Sequence, residues 1–386
     1  MAGRMHLADA LAEARRLAIV LPAEPVELSD AVGRVLSDDV TSLVDLPAGD
    51  ASLMDGWAVR CADLPGSVTV VGESRAGAPW PGSIGPGQAV AISTGGLLPG
   101  GADAVLRSED GLQQGDQLTS SVALSPGHHV RPASEDLRRG EVLLPMGTRV
   151  AAHHIGAIAA AGHAAVACRG VPRVAVVACG SELLEPGQPP EHGMVFDANR
   201  HGLAAQLQAA GAQVCSAVAA PDDAQATRRA IEHAMDGAHL LVVAGGMSVG
   251  AHDHARAALD ALGLVPSFTR LAVRPGQPSC MGVIGECRVL AVPGNPGAAA
   301  IGVHVLGRAL LGAEAHQARM PLAAAVDPHP GLSLVLRCRD NDGRVRPIAL
   351  QSSGSVTPTA QADLLAWIPP GDSPLEAGAD VLTWRL

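Results

Sequence analysis

The chain has 386 residues, a formal net charge of −11, 47% hydrophobic residues and 17% charged residues. This length exceeds what a single core normally supports, so two to four domains are expected. The acidic balance argues against nucleic acid as the main partner, because phosphate backbones select basic surfaces. No apolar run approaches the roughly 18 residues of a membrane span. The seven scattered cysteines form no CxxC pair, which favours free thiols and a cytoplasmic location.

The first part of the chain combines predicted helices with a β-rich region. Apolar spacing predicts a helix over His6–Val20, ended by Pro22. From residue 25 to about residue 150, short β-rich runs are separated by Gly and Pro roughly every eight to twelve residues, which is typical of a small β-domain. A further helix is predicted over Ala151–Ala161.

From Pro172 onward the pattern alternates between buried strands and helices. The predicted strands are Val174–Ala178, Val214–Ala217, His239–Ala244 and Val289–Val292, and the predicted helices are Asn199–Ala210, Asp223–Ala234, Ala255–Leu262 and Gly297–Leu311. Continuous apolar strands alternating with helices indicate a parallel sheet covered on both faces. From about Met320 the chain returns to short strands, which predicts a small C-terminal β-domain.

The most informative segment is GGMSVGAHDH at 245–254, between the apolar run ending at Ala244 and a predicted helix. A strand that breaks into a glycine-rich turn before a helix directs backbone N–H groups toward one point, which suits an anion. Ser248 and Asp253 add a hydroxyl and a carboxylate there, which suggests a metal-bridged phosphate or oxyanion. A second turn of this kind, Pro293–Pro296, follows the predicted strand Val289–Val292 and precedes a predicted helix. Two such turns predict a ligand cleft at the carboxyl ends of parallel strands.

Four acids follow predicted strands and are expected to converge at this edge: Glu182, Asp197, Asp222 and Asp253. Carboxylates with a serine hydroxyl suit Mg²⁺ better than zinc. The alternative for each acid is a helix N-cap, which stabilises a helix by about 0.5–2 kcal/mol.

Two arginines, Arg270 and Arg274, are the nearest predicted positive groups and can hold an oxyanion or phosphate. Their alternative is exposed surface arginines. In the β-rich region, Asp55 and Thr94 lie in glycine-containing segments, and their local sequence predicts only turns. The sequence contains no P-loop, dinucleotide-binding or nucleophile-elbow motif.

Taken in order, these motifs resemble those of a known family, the molybdopterin molybdenumtransferases, which include MoeA and the gephyrin E-domain. The matching segments are SLMDGWAVR (52–60), STGGLLPGGADAV (93–105), ED (135–136), CGSEL (179–183), DAN (197–199), GGMSVGAHD (245–253), RPGQP (274–278) and VPGNPGAAA (292–300). The resemblance covers nearly the whole chain.

The resemblance implies a multidomain α/β plus β architecture with four parts. These are an elongated linker domain (1–50 and 138–170), a β-rich lid domain (51–137), a central parallel α/β molybdopterin-binding domain (171–314) and a small, barrel-like C-terminal β-domain (315–386). It also implies a homodimer whose active cleft is shared between subunits. The implied reaction inserts molybdate into adenylylated molybdopterin, releases AMP and forms molybdenum cofactor, with Mg²⁺ as the metal cofactor.

Site residues are implied by the same matches. The catalytic acids would be Glu182, Asp253, Asp55 and Asp222, with Glu182 and Asp253 as metal ligands. The substrate-binding residues would be Thr94, Asp136, Asp197, Asn199, Gly245, Gly246, Ser248, Gly250, Arg270, Arg274, Pro293, Asn295 and Pro296. Possible protein partners are the molybdopterin adenylyltransferase and molybdoenzymes.

The chain departs from the family pattern at several positions. Ser181 and Ala251 stand where the family usually has acids, and Arg270, Arg274 and Gln277 stand where it has lysines. Arginine keeps the charge of lysine but does not give up a proton near neutrality. The changes at Ser181, Ala251 and Gln277 motivate one alternative, a non-catalytic paralogue that binds the pterin or its cofactor. A second alternative is a molybdopterin adenylyltransferase, because relatives of the α/β domain alone have that activity.

Overall fold

The computed structural model of the protein describes residues 4–247, 254–313 and 315–386. The chain divides into two compact units, a small unit of residues 23–169 and a large unit of residues 1–22 and 170–386. Within the described ranges, no helix is both long and apolar enough to cross a membrane. Helix α1 (Leu7–Arg16) belongs to the large unit. It is shorter than the predicted helix, which extended from His6 to Val20.

The small unit is β-rich, as predicted. Its elements are β1 (Ala23–Glu27), β2 (Val40–Thr41), β3 (Ala51–Ser52), β4 (Gly56–Val59), β5 (Gly66–Ser74), β6 (Gln88–Ile92), β7 (Ala104–Arg107), β8 (Leu112–Gln114), β9 (Gln117–Ser120), β10 (Val130–Arg131), β11 (Val142–Leu144), α2 (Ala152–Ala160) and β12 (Ala165–Arg169). Six strands form one sheet in the order β7-β4-β6-β5-β9-β8. Val59, Val68, Leu106 and Leu118 are buried against it.

The α/β part of the large unit follows in the order that the sequence predicts. Its elements are β13 (Arg173–Cys179), β14 (Leu183–Leu184), β15 (Val195–Phe196), α3 (Ala198–Ala209), β16 (Gln213–Ala220), α4 (Ala224–Met235), β17 (Leu240–Ala244), α5 (His254–Ala261), β18 (Val265–Phe268), β19 (Val273–Arg274), β20 (Cys280–Ile284), β21 (Cys287–Val292), α6 (Pro296–Gly302) and α7 (Arg308–Leu310). A π-helical turn, Val303–Gly307, connects α6 to α7, so the single helix predicted over Gly297–Leu311 has an irregular centre.

The central sheet has the strand order β16-β13-β17-β21-β20-β18. The first four strands are parallel, as predicted. Two strands that the sequence did not predict extend this sheet at one edge, where β20 runs antiparallel to β21 and β18 runs antiparallel to β20. The physical reason is a tight connection, because only Gly285 and Glu286 separate β20 from β21 and such a short link forms a hairpin.

The four parallel strands are buried on both faces. Successive residues of a strand point to opposite sides, so Val174 and Val176 pack toward one core and Ala175 and Val177 toward the other. Helices α1, α3 and α6 contribute to the first core, and α4 and α5 contribute to the second. This double cover leaves the strand ends as the open edge of the sheet.

The C-terminal part of the large unit contains β22 (Gln317–Pro321), β23 (Ser333–Asn341), β24 (Arg344–Pro347), α8 (Thr357–Gln361), β25 (Leu364–Ile368) and β26 (Asp380–Arg385). They form a sheet in the order β19-β23-β25-β26-β22, with β24 added to β23. Strand β19 comes from the α/β part and pairs in parallel with β23. This pairing joins Arg274 directly to the C-terminal sheet.

Candidate active site

A cavity of 910 Å³ opens at the carboxyl edge of the four parallel strands. Each strand delivers residues to it: Cys179 ends β13, Asp222 follows β16, Gly245 follows β17 and Pro293 follows β21. The described lining includes eight predicted site residues: Glu182, Asn199, Asp222, Gly245, Gly246, Pro293, Asn295 and Pro296. The topology therefore brings these residues together, as expected for a doubly wound sheet.

Two acids in this cavity are positioned by the loop after β13. The Asp222 carboxylate accepts a hydrogen bond from the Ser181 N–H at 3.0 Å, and the Ser181 hydroxyl accepts one from the Asp222 N–H at 2.8 Å. The exposed Glu182 carboxylate lies over Gly180, where a Cβ would come within 2.5 Å of Glu182 Oε2. Glycine at 180 therefore leaves the space that the carboxylate occupies.

The turn after β17 also depends on glycine. Gly245 has φ +92°, and a Cβ at this position would lie 2.6 Å from the Cys179 carbonyl oxygen. Gly246 has φ +65°, with the Ala255 side chain 2.9 Å from the position of its missing Cβ. The backbone can pass this close to β13 and α5 only without side chains, and the Gly245 N–H donates to the Val292 carbonyl oxygen at 3.1 Å.

Two asparagines in the wall of the first cavity form hydrogen bonds to neighbouring loops. Asn199 donates through Nδ2 to the Gly294 carbonyl oxygen at 2.7 Å, and Asn295 donates through Nδ2 to the Ser353 hydroxyl at 2.9 Å. The Oδ1 atom of Asn199 is buried and accepts no hydrogen bond from any residue that the structure describes. Asn199 therefore lines the cavity while its Oδ1 atom is closed to solvent.

Asp197 is the N-cap residue of α3, which is the alternative that the sequence offers for each of the four acids. It is 2% exposed, caps α3 by accepting from the Arg200 N–H at 2.9 Å, and accepts from Arg200 Nε at 3.0 Å. Arg200 also contacts Glu185. These contacts orient the start of α3, and Asp197 is absent from the described lining of the first cavity.

Cys179 places a thiol at the same strand end. Burial raises its pKa to about 12, with the charge of Asp222 acting in the same direction. The sulfur is therefore a protonated, weakly polar wall of the cavity at neutral pH, and not a thiolate nucleophile.

A second cavity of 580 Å³ lies between the α/β part and the C-terminal sheet. It shares Pro278, Pro293 and Asn295 with the first cavity. Its described lining also includes Arg274, Gln277, His329, Gln351, Ser352 and Ser353, and none of its described lining residues is a carboxylate. An arginine with several neutral hydrogen-bonding groups makes this cavity suited to an anion.

His329 faces the second cavity with a defined tautomer. The Gly331 N–H donates to His329 Nδ1 at 3.2 Å, so Nδ1 is an acceptor and the neutral ring carries its proton on Nε2.

Arg274 and Arg270, predicted as a pair, differ in position. Arg274 lines the cavity, whereas exposed Arg270 is not part of the described lining of either cavity.

The serine-containing loop of the second cavity is held by a buried arginine. Arg337 is fully buried and donates to the carbonyl oxygens of Ser355 at 3.0 Å and Ser352 at 2.9 Å. Its Nε has no partner in the described part of the chain, and burial lowers the pKa of its guanidinium. A buried cation without a carboxylate is costly, so this arrangement fixes the loop at an energetic expense.

Three predicted residues lie in the small unit. The Asp55 Oδ1 atom accepts hydrogen bonds from the Thr94 N–H at 2.7 Å and from its hydroxyl at 3.1 Å. These bonds lower the pKa of Asp55, because they favour its charged form. Asp136 forms an ion pair with Arg131 at 3.4 Å.

Three further predicted residues, Ser248, Gly250 and Asp253, lie outside the described residues. Across the described ranges, no group of three or more His, Cys, Asp or Glu side chains is arranged to hold a metal ion. A site built from one or two carboxylates and substrate oxygens remains compatible with this geometry.

Comparison with known proteins identifies the family. Residues 5–162 match the MoeA N-terminal region (domain I and II), residues 175–313 match a probable molybdopterin binding domain, and residues 319–386 match the MoeA C-terminal region (domain IV). A molybdopterin molybdenumtransferase of Synechococcus elongatus is 32% identical, with 96% of each chain covered. The chain belongs to the MoeA family.

Further relatives agree with this assignment. A molybdopterin molybdenumtransferase of Haemophilus influenzae is 33% identical over 75% of this chain and 72% of its own. A crystal structure of the molybdopterin biosynthesis MoeA protein from Pyrococcus horikoshii is 27% identical, covers 99% of both chains and has a TM-score of 0.86. The recognition of the family and its multidomain α/β fold is therefore confirmed.

Some cavity residues of this MoeA family member are absent from the sequence-based predictions. Phe196 lines the first cavity, and His329 lines the second. A cue existed for Phe196, since it directly precedes the DAN motif. No local pattern marks His329, which precedes β23, the strand that pairs with β19 beside Arg274.

Proposed function

We propose that this MoeA family member is a molybdopterin molybdenumtransferase, which inserts molybdate into adenylylated molybdopterin and releases AMP. The observation that carries the proposal is the pair of adjacent cavities, which share Pro278, Pro293 and Asn295. The first offers acids and a glycine turn to a phosphate-containing substrate, and the second offers Arg274 without an opposing carboxylate. Relatives that are about 30% identical over most of the chain carry the same enzyme name.

In this proposal the pterin nucleotide occupies the first cavity and molybdate occupies the second. The amide of Gly246 faces the diphosphate, as glycine turns before helices do in phosphate sites. Arg274, the His329 Nε2–H and the hydroxyl of Ser353 bind the molybdate oxygens. Asn295, which lines both cavities, lies where the two substrates meet.

The donor set of the first cavity fits Mg²⁺. Glu182 has its carboxylate in a space that a Cβ at Gly180 would fill, and Asp222 is held beside it. Carboxylate oxygens together with substrate phosphates are the usual ligands of Mg²⁺. Glu182, with Asp253 as the second predicted ligand, would hold the ion, which neutralises charge on the diphosphate when it is bound.

The remaining residues have separate roles in the proposal. Asp222 accepts the proton of the water that attacks the diphosphate, because Ser181 fixes its carboxylate at the cavity wall. Asp55 and Thr94 are proposed to contact the substrate as a hydrogen-bonded pair, and Asp136 belongs to the same set.

Wider features of the proposal come from the family resemblance. They include a homodimer with a shared active cleft, the four-domain organisation and the substrate-binding roles of Asp197, Arg270, Ser248 and Gly250. A cytoplasmic location is proposed because the described cysteines are all free.

The experiment is restoration of molybdoenzyme activity in cells that lack their own inserting enzyme. The proposal predicts restoration by the wild-type chain and by Glu191→Gln, whose exposed acid is not part of the described cavity lining. It predicts failure of Glu182→Gln and Asp222→Asn at equal protein levels. A wild-type chain that binds pterin but never restores activity would instead support the non-catalytic paralogue.

A further inference from the structure

The first cavity has an apolar wall in addition to its acids and glycines. Three large hydrophobic residues that are strongly exposed, Val195, Phe196 and Val356, have exposed fractions of 53%, 46% and 51%. All three line this cavity. Large apolar groups left open to water inside a concave site commonly contact a ligand.

Phe196 is the sole aromatic residue in the described lining of the cavity. The protein has only two Phe, four Trp and no Tyr among 386 residues. The other phenylalanine, Phe268, is 6% exposed and belongs to a core. Phe196 is therefore not explained by core packing, since nearly half of its surface is open.

The backbone around Phe196 is firmly positioned. Leu183 pairs with Val195 and Leu184 pairs with Phe196 in a short parallel ladder. The Asp197 N–H donates to the Leu184 carbonyl oxygen at 2.9 Å, immediately before the capped start of α3. An aromatic ring on such a fixed segment can serve as a binding surface with little ordering cost.

The same ladder sets the backbone separation between Phe196 and Glu182. Glu182 lies two residues before Leu184, so strand geometry separates the Glu182 and Phe196 backbones by about 8 Å. The cavity thus has a polar end at Glu182 and an apolar end at Phe196. A ligand that joins a phosphate to a flat ring matches this arrangement.

Asn199 provides a polar group on the same segment. Its Nδ2 is used by the Gly294 carbonyl oxygen, which leaves Oδ1 as an acceptor only. That atom is buried without a partner in the described structure, and Asn199 is 9% exposed. An unpaired buried acceptor is costly, so a ligand N–H that reached it would remove the cost.

We propose that Phe196 and Asn199 form a subsite for a flat heterocycle that carries an amino group. The ring stacks on Phe196, and a shift of the Asn199 side chain on binding opens its buried Oδ1 atom to an N–H of the ring. This inference rests on the proposed function, which supplies two such rings in one substrate, a pterin and an adenine. Stacking on an aromatic residue tolerates either ring, so the experiment has to separate them.

Calorimetric titration of the full-length protein separates the ring sources. The ligands are AMP, neopterin as a free pterin, and inorganic pyrophosphate as a ringless control. The variants are Phe196→Leu, which keeps an apolar group, and Phe196→Trp, which keeps an aromatic face. Val265→Ala is the matched control, because Val265 is 66% exposed and is not in the described cavity lining.

The expected result is that Phe196→Leu weakens binding of one ring-containing ligand on the order of tenfold. Phe196→Trp keeps that affinity, and pyrophosphate binding does not change in either variant. Weaker binding of neopterin to Phe196→Leu assigns the subsite to the pterin, and weaker binding of AMP assigns it to the adenine. Equal affinity of wild type and Phe196→Leu for both rings, or no measurable wild-type binding of either, overturns the inference.

Asn199→Leu provides the second test, with circular dichroism to confirm folding. The subsite predicts weaker binding of the same ring ligand that Phe196→Leu affects, without a change for pyrophosphate. An effect on pyrophosphate alone would assign Asn199 to phosphate binding and contradict its role here. Ring binding that depends on Phe196 without any AMP release would leave this inference standing and reject the proposed function, so the two failures are distinguishable.

Discussion

Ser181 and Asp222 exchange two hydrogen bonds across the carboxyl edge of the central sheet. The Ser181 N–H reaches Asp222 Oδ2 at 3.0 Å, and the Asp222 N–H reaches the Ser181 hydroxyl at 2.8 Å. The family pattern usually has an acid at position 181. In this chain the serine instead fixes the acid of the neighbouring strand, which gives the departure a structural role.

Replacing Ser181 with alanine tests this role. Ser181→Ala removes the acceptor of the Asp222 N–H, so we expect a loss of about 1 kcal/mol of unfolding free energy. We also expect AMP release to slow by roughly fivefold or more, because Asp222 loses one of its constraints. Steady-state kinetics and thermal unfolding measure the two effects.

Ser120→Ala is the matched control, since Ser120 is buried in the small unit and its hydroxyl donates to the Asp110 carbonyl oxygen at 2.7 Å. It should reduce stability comparably and leave the rate per folded molecule unchanged. Equal activity of Ser181→Ala and wild type would show that the hydrogen-bonded pair has no part in catalysis.

Gly245→Ala tests the close approach of the glycine turn to β13. The Cβ would lie 2.6 Å from the Cys179 carbonyl oxygen, so we expect a loss of about 3 kcal/mol or more from strain and collision. Gly263 has nearly the same φ, +89°, but nothing lies within 4 Å of its missing Cβ. Gly263→Ala should therefore cost about 1 kcal/mol. Denaturant unfolding of both variants checks this, and similar losses would contradict the collision.

His304 predicts a dependence of stability on pH. Burial lowers its pKa from 6.5 to about 4, and the charge of Arg308 acts in the same direction. Above pH 6.5 the ring is neutral in both the folded and unfolded states. As pH falls from 6.5 to 4 the unfolded state takes up the proton first, so about 3 kcal/mol of stability is lost.

Unfolding free energies measured between pH 4 and pH 7 test this dependence. His304→Leu should flatten the part of the curve between pH 4 and pH 6.5. His192→Leu, at an exposed position, should leave the wild-type slope. A wild-type slope that survives in His304→Leu would assign the effect to other groups.

Arg274→Gln tests the assignment of the second cavity to molybdate. Removing the charged donors should raise the KM for molybdate by about tenfold or more, and leave AMP affinity unchanged. Arg319→Gln is the comparison, because Arg319 is exposed and is not in the described lining of the cavities. An equal or larger effect from Arg319 than from Arg274 would contradict the assignment.

The sequence predicted the central fold because uninterrupted apolar runs mark buried parallel strands. Val174–Ala178 and His239–Ala244 lie within one residue of β13 and β17 at each end. The antiparallel edge was missed because β18 contains Pro266 and β20 contains Gly282, both poor strand signals. The break in the last helix was missed because a π-turn keeps the apolar pattern of an α-helix.

The candidate site was predictable where chemistry coincides with a strand end, as at Glu182 and Gly245. Asp197 shows the limit of that rule, because its position also suits an N-cap and Arg200 satisfies it. His329 and Ser353 reach the second cavity through contacts between distant parts of the chain. No local spacing encodes such contacts.

The acids of the first cavity are proposed to support release of AMP when molybdate is present. AMP formed from adenylylated molybdopterin, with Mg²⁺, is measured in the presence and absence of molybdate. We expect molybdate-dependent release by wild type and Glu191→Gln, and a loss of at least roughly a hundredfold in Glu182→Gln. Release that is independent of molybdate, or unchanged in Glu182→Gln, would contradict this proposal.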